Sequence, residues 1–138
     1  MTSRIVVTGG AIIRDHMGRV LLQKRSDYGD WGLPGGGMEP GERIEETMIR
    51  EVKEETGLDV SSYKLASIYT GERMHYTYPD GNEVVFVMFL FDVIEDEQKE
   101  SLQLIFKSVD EIDIATINNV QKPIFVDLKQ GESKLLRE

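Results

Sequence analysis

The stretch LPGGGMEPGERIEETMIREVKEETGL, Leu33 to Leu58, decides how the rest of the chain is read. It opens on a glycine run, Gly35, Gly36 and Gly37, and closes on a helical pattern carrying Glu51, Glu54 and Glu55. The pattern predicts a helix from about Arg43 to Thr56, ended by Gly57, a residue type favoured just past a helix C-terminus. At about 100° per residue, Ile44, Met48 and Val52 fall on one stripe and should face a core. Glu55 lies inside that arc, Glu51 beside it and Glu54 one step further round, whereas Lys53 points nearly the opposite way.

Local physics counts against this arrangement. Like charges on neighbouring turns repel by a few tenths of a kcal/mol each, and acids in the last turn oppose the helix dipole by roughly 0.3–1 kcal/mol. Two readings are open: a solvated acidic face, or a set of ligands for a polyvalent cation. Hard Mg²⁺ or Mn²⁺ prefers carboxylate oxygen and often shares its shell with phosphate. Glu42, Glu45 and Glu46, by contrast, lie at the helix start, where acids complement the dipole. The glycine run leaves no side chains between backbone and ligand, so carbonyls and amides can approach a metal or phosphate. Its spacing matches neither a P-loop nor a dinucleotide-binding glycine motif, and by itself it also fits an ordinary turn.

Outward from this core stretch, Ile5 to Ile13 and Val20 to Arg25 read as strands joined by the turn RDHMGR, in which Gly18 can take positive φ. The segment between Arg25 and the helix reads as a loop. A strand is expected at Leu65 to Thr70. A second, apolar at nearly every position from Glu83 to Val93, should be covered on both faces. Between them Asp80-Gly81 signals a hairpin. EDEQKE reads as a solvated acidic loop, followed by a strand at Leu102 to Lys107. KPIFVDLKQG fits a last helix with Pro123 in its first turn. The expected class is α/β (α+β), a mixed sheet packed by helices.

Length and composition bound the function. With 138 residues, 40% of them hydrophobic, the chain predicts one domain over residues 1–138. Having no cysteine, it excludes disulfides, thiolate zinc sites and cysteine nucleophiles, and a reducing, cytoplasmic setting fits. The apolar run near the N-terminus is short, holds Thr8, Gly9 and Gly10, and reads as a strand, not as a signal peptide or membrane span. A formal net charge of -9 argues against sequence-independent binding of duplex nucleic acid. A small phosphate-bearing substrate fits, provided cations mediate the contact. The oligomeric state stays open, a homodimer included.

The residues of the core stretch resemble the Nudix box of MutT-like hydrolases, G-x5-E-x7-R-E-U-x-E-E-x-G-U, with U a bulky aliphatic. Gly36, Glu42, Arg50, Glu51, Val52, Glu54, Glu55, Gly57 and Leu58 fill every fixed position of the 23-residue pattern, residues 36–58. LLQKR, WGLPGG and SVDEI are similar to segments that flank the box in many members, so the resemblance covers about Ile5 to Ile112. It implies an α/β/α sandwich around a mixed sheet and hydrolysis of a nucleoside diphosphate linked to another group, with divalent metal. Carried over, Glu51, Glu54 and Glu55 would ligate metal and the Gly35 carbonyl could complete the shell. Arg50 would orient Glu51, and Glu42 would tie loop to helix through Arg50. Glu54 is one candidate general base; Glu95, Glu97 and Glu100, in the acidic loop, are others. Arg25 could contact a substrate phosphate or be an exposed strand cation, and Trp31 is expected to pack beneath the glycine loop. His75 reads equally as an ordinary strand or loop residue or as a site residue, and His16 reads as a turn residue.

Substrate markers are sparse. Arg73 and Met74 stand where many ADP-ribose hydrolases carry a proline, and no NADH-type array appears. Tyr76 lies near a position associated with dinucleoside polyphosphate hydrolases, but Tyr69, Tyr76 and Tyr78 also suit a β-hairpin. The favoured substrate is a nucleotide such as a nucleoside triphosphate. ADP-ribose, nucleotide sugars and dinucleoside polyphosphates are alternatives, as is a noncatalytic nucleotide sensor.

Overall fold

A computed structural model describes residues 3–24, 30–94, 104–131 and 134–138. Its sheet is organised by two long strands, β1 (Ser3–Arg14) and β7 (Glu83–Ile94), which run parallel in unbroken register from Ser3↔Glu83 to Arg14↔Ile94. The elements between them are β2 (Val20–Lys24), β3 (Trp31–Gly32), β4 (Gly35–Gly37), α1 (Ile44–Thr56), β5 (Lys64–Tyr69) and β6 (His75–Thr77). After β7 come β8 (Leu104–Lys107), α2 (Lys122–Gln130) and β9 (Leu136–Arg137). The order is β3-β2-β1-β7-β5-β9, with β4 on β1, β6 on β7 and β8 on β2. Because β1 pairs in parallel with β7 and antiparallel with β2 and β4, the sheet is mixed.

Side chains alternate across the sheet. Ile12, Leu22, Met88 and Leu90 face one side and form a core with Ile124 and Phe125 of α2. Ala11, Ile13, Leu21, Phe91 and Val93 face the other and pack on Met48 and Val52 of α1. One helix on each face makes the α/β/α sandwich. It also explains why β7 is apolar on both faces.

The helix begins one residue later than expected. Arg43 is its N-cap, and the Arg43 amide donates to Glu46 at 2.8 Å. Gly57 closes it in the left-handed conformation, φ 77°, its amide donating to Lys53 O at 2.9 Å. Met48 and Val52 are fully buried, as the wheel requires.

Two sheet features depart from the sequence reading. The β1–β2 hairpin is present, its turn held by Asp15, which accepts from the Met17 and Arg19 amides, but β1 meets β2 only at Arg14↔Val20. The rest of that β1 edge is taken by the glycine run, which is a strand and not a loop: Gly9 pairs with Gly36 and Gly10 with Gly35. Close approach explains it. A Cβ on Gly35, whose φ is +156°, would lie 2.6 Å from the Gly10 Cα, and one on Gly9 would lie 3.0 Å from the Ile44 carbonyl of α1. Glycine facing glycine lets strand and helix backbones close on β1 together.

Candidate active site

Arg50 organises the helix face that carries the acids. Its Nε donates to Glu42 Oε2 at 2.8 Å and its Nη2 to Glu42 Oε1 at 3.0 Å, a bidentate pair. Nη1 donates to Glu51 Oε1 at 2.9 Å and to Glu54 Oε2 at 3.4 Å, while Nη2 also reaches the Gly37 carbonyl at 3.1 Å. One guanidinium thus ties the β4 backbone, the loop acid and two helix acids together. Glu42 accepts further bonds from the Glu39 amide at 2.8 Å and the Thr47 hydroxyl at 3.0 Å. Arg50's hydrogen bonds, followed by that of the Glu39 amide, hold the Glu42 carboxyl down to about 2, against the opposing effect of burial.

The three helix acids differ in setting. Glu51 is tucked against β4, its carboxylate lying where a Cβ on Gly36 would be, 2.5 Å from Glu51 Cδ. Glu55 accepts from the Gly35 amide at 3.0 Å. Glu54 has its side chain 58% exposed and leans only weakly on Arg50. Lys53 points away, pairing with Asp59 at 3.0 Å. Among the described residues, no three Asp, Glu or His side chains converge tightly enough to form a metal cage as placed. The donor chemistry nonetheless suits a hard divalent cation: three carboxylates on one helix face, set against glycines where any side chain would fill the cradle at Glu51.

On its other side the glycine strand borders a cleft of about 540 Å³. Tyr76, Tyr78 and Phe86 line one wall, and Asp30, Asn118 and Asn119 line another. The Tyr76 and Tyr78 rings meet edge to face, centroids 4.9 Å apart. Two amides hold the entrance in place. Asn118 Nδ2 donates to the Trp31 carbonyl at 3.3 Å, and Gln121 Oε1 accepts from the Leu33 amide at 2.7 Å, pinning the start of the core stretch to the base of α2.

The remaining sequence candidates divide. Trp31 packs, half-buried, against the core on the α2 side. Tyr69 is not a cleft residue: it is buried and donates its hydroxyl to Asp127 at 2.9 Å, and burial and then Asp127 push its ionisation upward. Arg73 pairs with the same Asp127 at 3.2 Å, and Met74 is core. His75 is exposed beside Glu83, and His16 sits in the β1–β2 turn. Arg25, Glu95, Glu97 and Glu100 lie outside the described residues. Asp30, Asn118, Asn119 and Gln121 were not anticipated as site residues. An asparagine pair just before a helix reads as turn and cap chemistry, and nothing local in the sequence links it to Trp31.

Residues 4–130 match the family model described as NUDIX domain. The chain is 34% identical over 123 residues to the ADP-ribose pyrophosphatase of Methanocaldococcus jannaschii, covering 87% of this chain and 66% of that protein. It is 36% identical over 85 residues to the nucleoside triphosphatase NudI of Escherichia coli, covering 56% of this chain and 60% of that protein. It therefore spans less than two thirds of either relative. Among solved structures, the MutT protein of Bacillus halodurans superposes with a TM-score of 0.70 at 31% identity, covering 94% of this chain and 85% of that one. With its sandwich fold, its complete box and a family match over nearly its whole length, the chain belongs to the Nudix family.

Proposed function

We propose that this chain is a divalent-metal-dependent pyrophosphohydrolase that cleaves a phosphoanhydride bond in a nucleoside diphosphate linked to another group, with a nucleoside triphosphate as the favoured substrate. The observation that carries this reading is the glycine strand acting as a common wall. Glu51 and Glu55 of α1 lie against it on one side, and a cleft large enough for a nucleoside, with aromatic rings, opens on the other. Scissile phosphates laid along β4 would have the acids and the base-sized cleft within reach at once.

Glu51, Glu54 and Glu55, with the Gly35 carbonyl, would hold Mg²⁺ or Mn²⁺. The bound metal would polarise phosphoryl oxygens, lower the pKa of a water and offset the charge that develops as the P–O bond breaks. Arg50 holds Glu51 in place, and Glu42 fixes Arg50 from the far side, so the two form a positioning pair. Glu54, the most exposed of the three, is the acid best placed to take a proton from water as general base. Arg25 is assigned to a substrate phosphate and Glu95, Glu97 and Glu100 are the competing bases. No helix among the described residues is long and apolar enough to cross a membrane, which fits the cytoplasmic setting proposed here.

The relative named ADP-ribose pyrophosphatase favours a second reading, ADP-ribose or a nucleotide sugar as substrate. A hydrolysis screen decides between them. Nucleoside triphosphates, oxidised nucleotides, ADP-ribose, nucleotide sugars and dinucleoside polyphosphates are each offered with Mg²⁺ and Mn²⁺, with Glu54→Gln and Glu55→Gln as controls. Metal-dependent turnover lost in both controls is the expected result and names the substrate. Nucleotide binding with no turnover across the panel would replace the hydrolase by a noncatalytic sensor.

A further inference from the structure

We propose that the chain carries a second ligand site, a cleft on the far side of α2 that takes a phosphomonoester. It lies apart from the acids of α1 and goes beyond the nucleotide reading above. The substrate cleft runs along Val6, Thr8 and Gly10 of β1. A second cleft, of about 490 Å³, begins at Ile12 and is lined by residues of α2, β5 and β9. Ile124 of α2 lines both, so the helix stands between them. That volume holds an organic molecule and exceeds what a bare ion needs.

An irregularity in β5 builds the site. In a regular strand alternate residues share a face, so Lys64 and Ser67 would point opposite ways. The register of β5 on β7 shifts between Leu65 and Ser67: Leu65 lies opposite Phe91, and Ser67 opposite Leu90. The extra residue, Ala66, turns the strand over. Leu65 accordingly packs in the core on the α1 side, whereas Tyr69 packs in the core on the α2 side. Lys64, opposite Asp92, and Ser67 both end on the α2 face, and both line the second cleft.

The fold uses neither side chain. Ser67 is only 6% exposed, yet among the described residues its hydroxyl has no hydrogen-bond partner, and it opens to the cleft. A hydroxyl so placed is a donor waiting for an acceptor. Lys64 has no ion pair among the described residues, because Asp92 opposite it is held by Arg14 Nη1 at 2.6 Å. Asp127, the other acid of the lining, is bonded by Tyr69 and Arg73. Arg14, Lys64 and Arg137 therefore line a cleft whose two acids are already engaged, a cationic pocket on a chain of net charge -9.

These groups define the occupant. Arginine and lysine only donate, and the serine hydroxyl donates as well, so the ligand must accept at several points and carry negative charge. A phosphomonoester offers three terminal oxygens and close to two charges, enough for Ser67, Lys64 and the N–H groups of Arg14 that Asp92 leaves over. A carboxylate, with two oxygens and one charge, would leave a donor short. Leu128 and Leu135 give the organic group of the ester an apolar wall.

The test follows amide shifts of the ¹⁵N-labelled protein, in EDTA and low salt, as ribose 5-phosphate or adenosine monophosphate is added, with ribose and succinate as controls. Wild type, S67A and K64Q are compared. Both phosphates should give saturable shifts on β5, on β9 and around Asp127, and ribose none; whichever binds tighter there tells a sugar phosphate from a nucleotide as the source. Kd for the phosphates should rise about ten-fold in S67A, the size of one hydrogen bond to a charged group, and several-fold in K64Q, an effect that fades as salt is raised. S67A should melt at the wild-type temperature, since the hydroxyl bonds nothing in the protein. Shifts confined to the glycine strand, succinate binding as well as the phosphates, undiminished binding in both variants, or a lowered melting temperature for S67A would overturn the assignment. All arms are free of divalent metal, so each of these results leaves the hydrolase reading standing.

Discussion

Replacing Gly36 by alanine should abolish most activity and leave the fold intact, and the distances say why. The added Cβ would lie 2.5 Å from Glu51 Cδ and 2.6 and 2.7 Å from its two carboxylate oxygens. Ordinary carbon contacts begin near 3.5 Å, so the carboxylate must retreat by about 1 Å. That retreat stretches its 2.9 Å bond from Arg50 beyond hydrogen-bonding range. The atoms that yield are the end of a flexible side chain, and Gly36 does not need positive φ, so the backbone can stay where it is. Loss of one charged, partly exposed hydrogen bond costs about 1–2 kcal/mol, and replacing glycine by alanine returns about 0.4–1 kcal/mol through the unfolded chain. Net stability should therefore change by no more than about 1–1.5 kcal/mol. Activity is far more sensitive, since misplacing an active-site group by 1 Å can cost about 10²-fold.

The neighbouring glycines bracket the result. Gly35→Ala should be destabilising by several kcal/mol, roughly 3 or more, because its Cβ meets backbone, the Gly10 Cα at 2.6 Å and the Gly9 carbonyl at 2.8 Å, and its φ of +156° is strained for alanine. Gly37→Ala meets nothing within 4 Å and should be silent. Steady-state kinetics with Mg²⁺ and thermal melting on the three variants check the series. A cycle with Glu51→Gln isolates the cause: once Glu51 no longer acts, Gly36→Ala should cost little more. An active Gly36→Ala enzyme, or an undiminished loss in the Glu51→Gln background, would refute the reasoning.

Arg50→Ala strands Glu42 and Glu51 without their cation, and should lower stability by about 2–3 kcal/mol in chemical denaturation together with kcat. Arg50→Lys restores charge but not the fork, so it should recover stability better than turnover. Glu42 titrates about 2 when folded against an ordinary 4.5, so its stabilisation is complete above pH 4.5 and disappears as pH falls toward 2. Glu42→Gln should flatten the stability profile within that window and lower stability at neutral pH; an unchanged acid limb would count against the pair. Mg²⁺ at ten times its Kd should add about 1.4 kcal/mol, roughly 4–6 °C in Tm, and Glu54→Gln/Glu55→Gln should remove the shift. A melting curve indifferent to millimolar Mg²⁺ would remove the metal from the site.

How much of this was legible depended on whether the signal was local. Helix α1 has an apolar stripe at 3.6-residue spacing, acids at its start and Gly57 at its end, all within its own sequence, and its observed limits differ from the expected ones by one residue. Strand β7 announced itself by composition, but not its parallel partner, because Ser3 and Glu83 are 80 residues apart and periodicity carries no register. The glycine strand was hidden for a different reason. Glycine has no strand preference of its own, and β4 exists only because Gly9 and Gly10 leave room beside β1. The site followed the same rule. Arg50 and the acids it touches lie within one helix and its preceding loop, whereas the cleft joins Trp31 and Leu33 to Asn118 and Gln121 through contacts that span the chain.

The carboxylates near the end of α1 are only partly relieved by the structure. Glu51 and Glu54 share the single guanidinium of Arg50 with Glu42 and, more distantly at 3.9 Å, with Glu39, so four negative charges face one positive charge, a local balance of -3 before Glu55 is considered. Glu55 accepts a hydrogen bond from the Gly35 amide. Lys53, the basic residue of the last turn, is spent on Asp59 and the Gly57 carbonyl. Lys53 thus serves the helix C-terminus, where a cation is favoured by up to about 1 kcal/mol, but does not reach the acids. The arrangement keeps an anionic surface beside a glycine backbone. On a chain of net charge -9, such a surface repels a bare polyphosphate and attracts one that arrives with its metal. The local cost and the proposed chemistry thus have the same origin: the acids around Arg50 outnumber the one guanidinium that holds them, and a divalent cation shared with the substrate's phosphates would offset the excess.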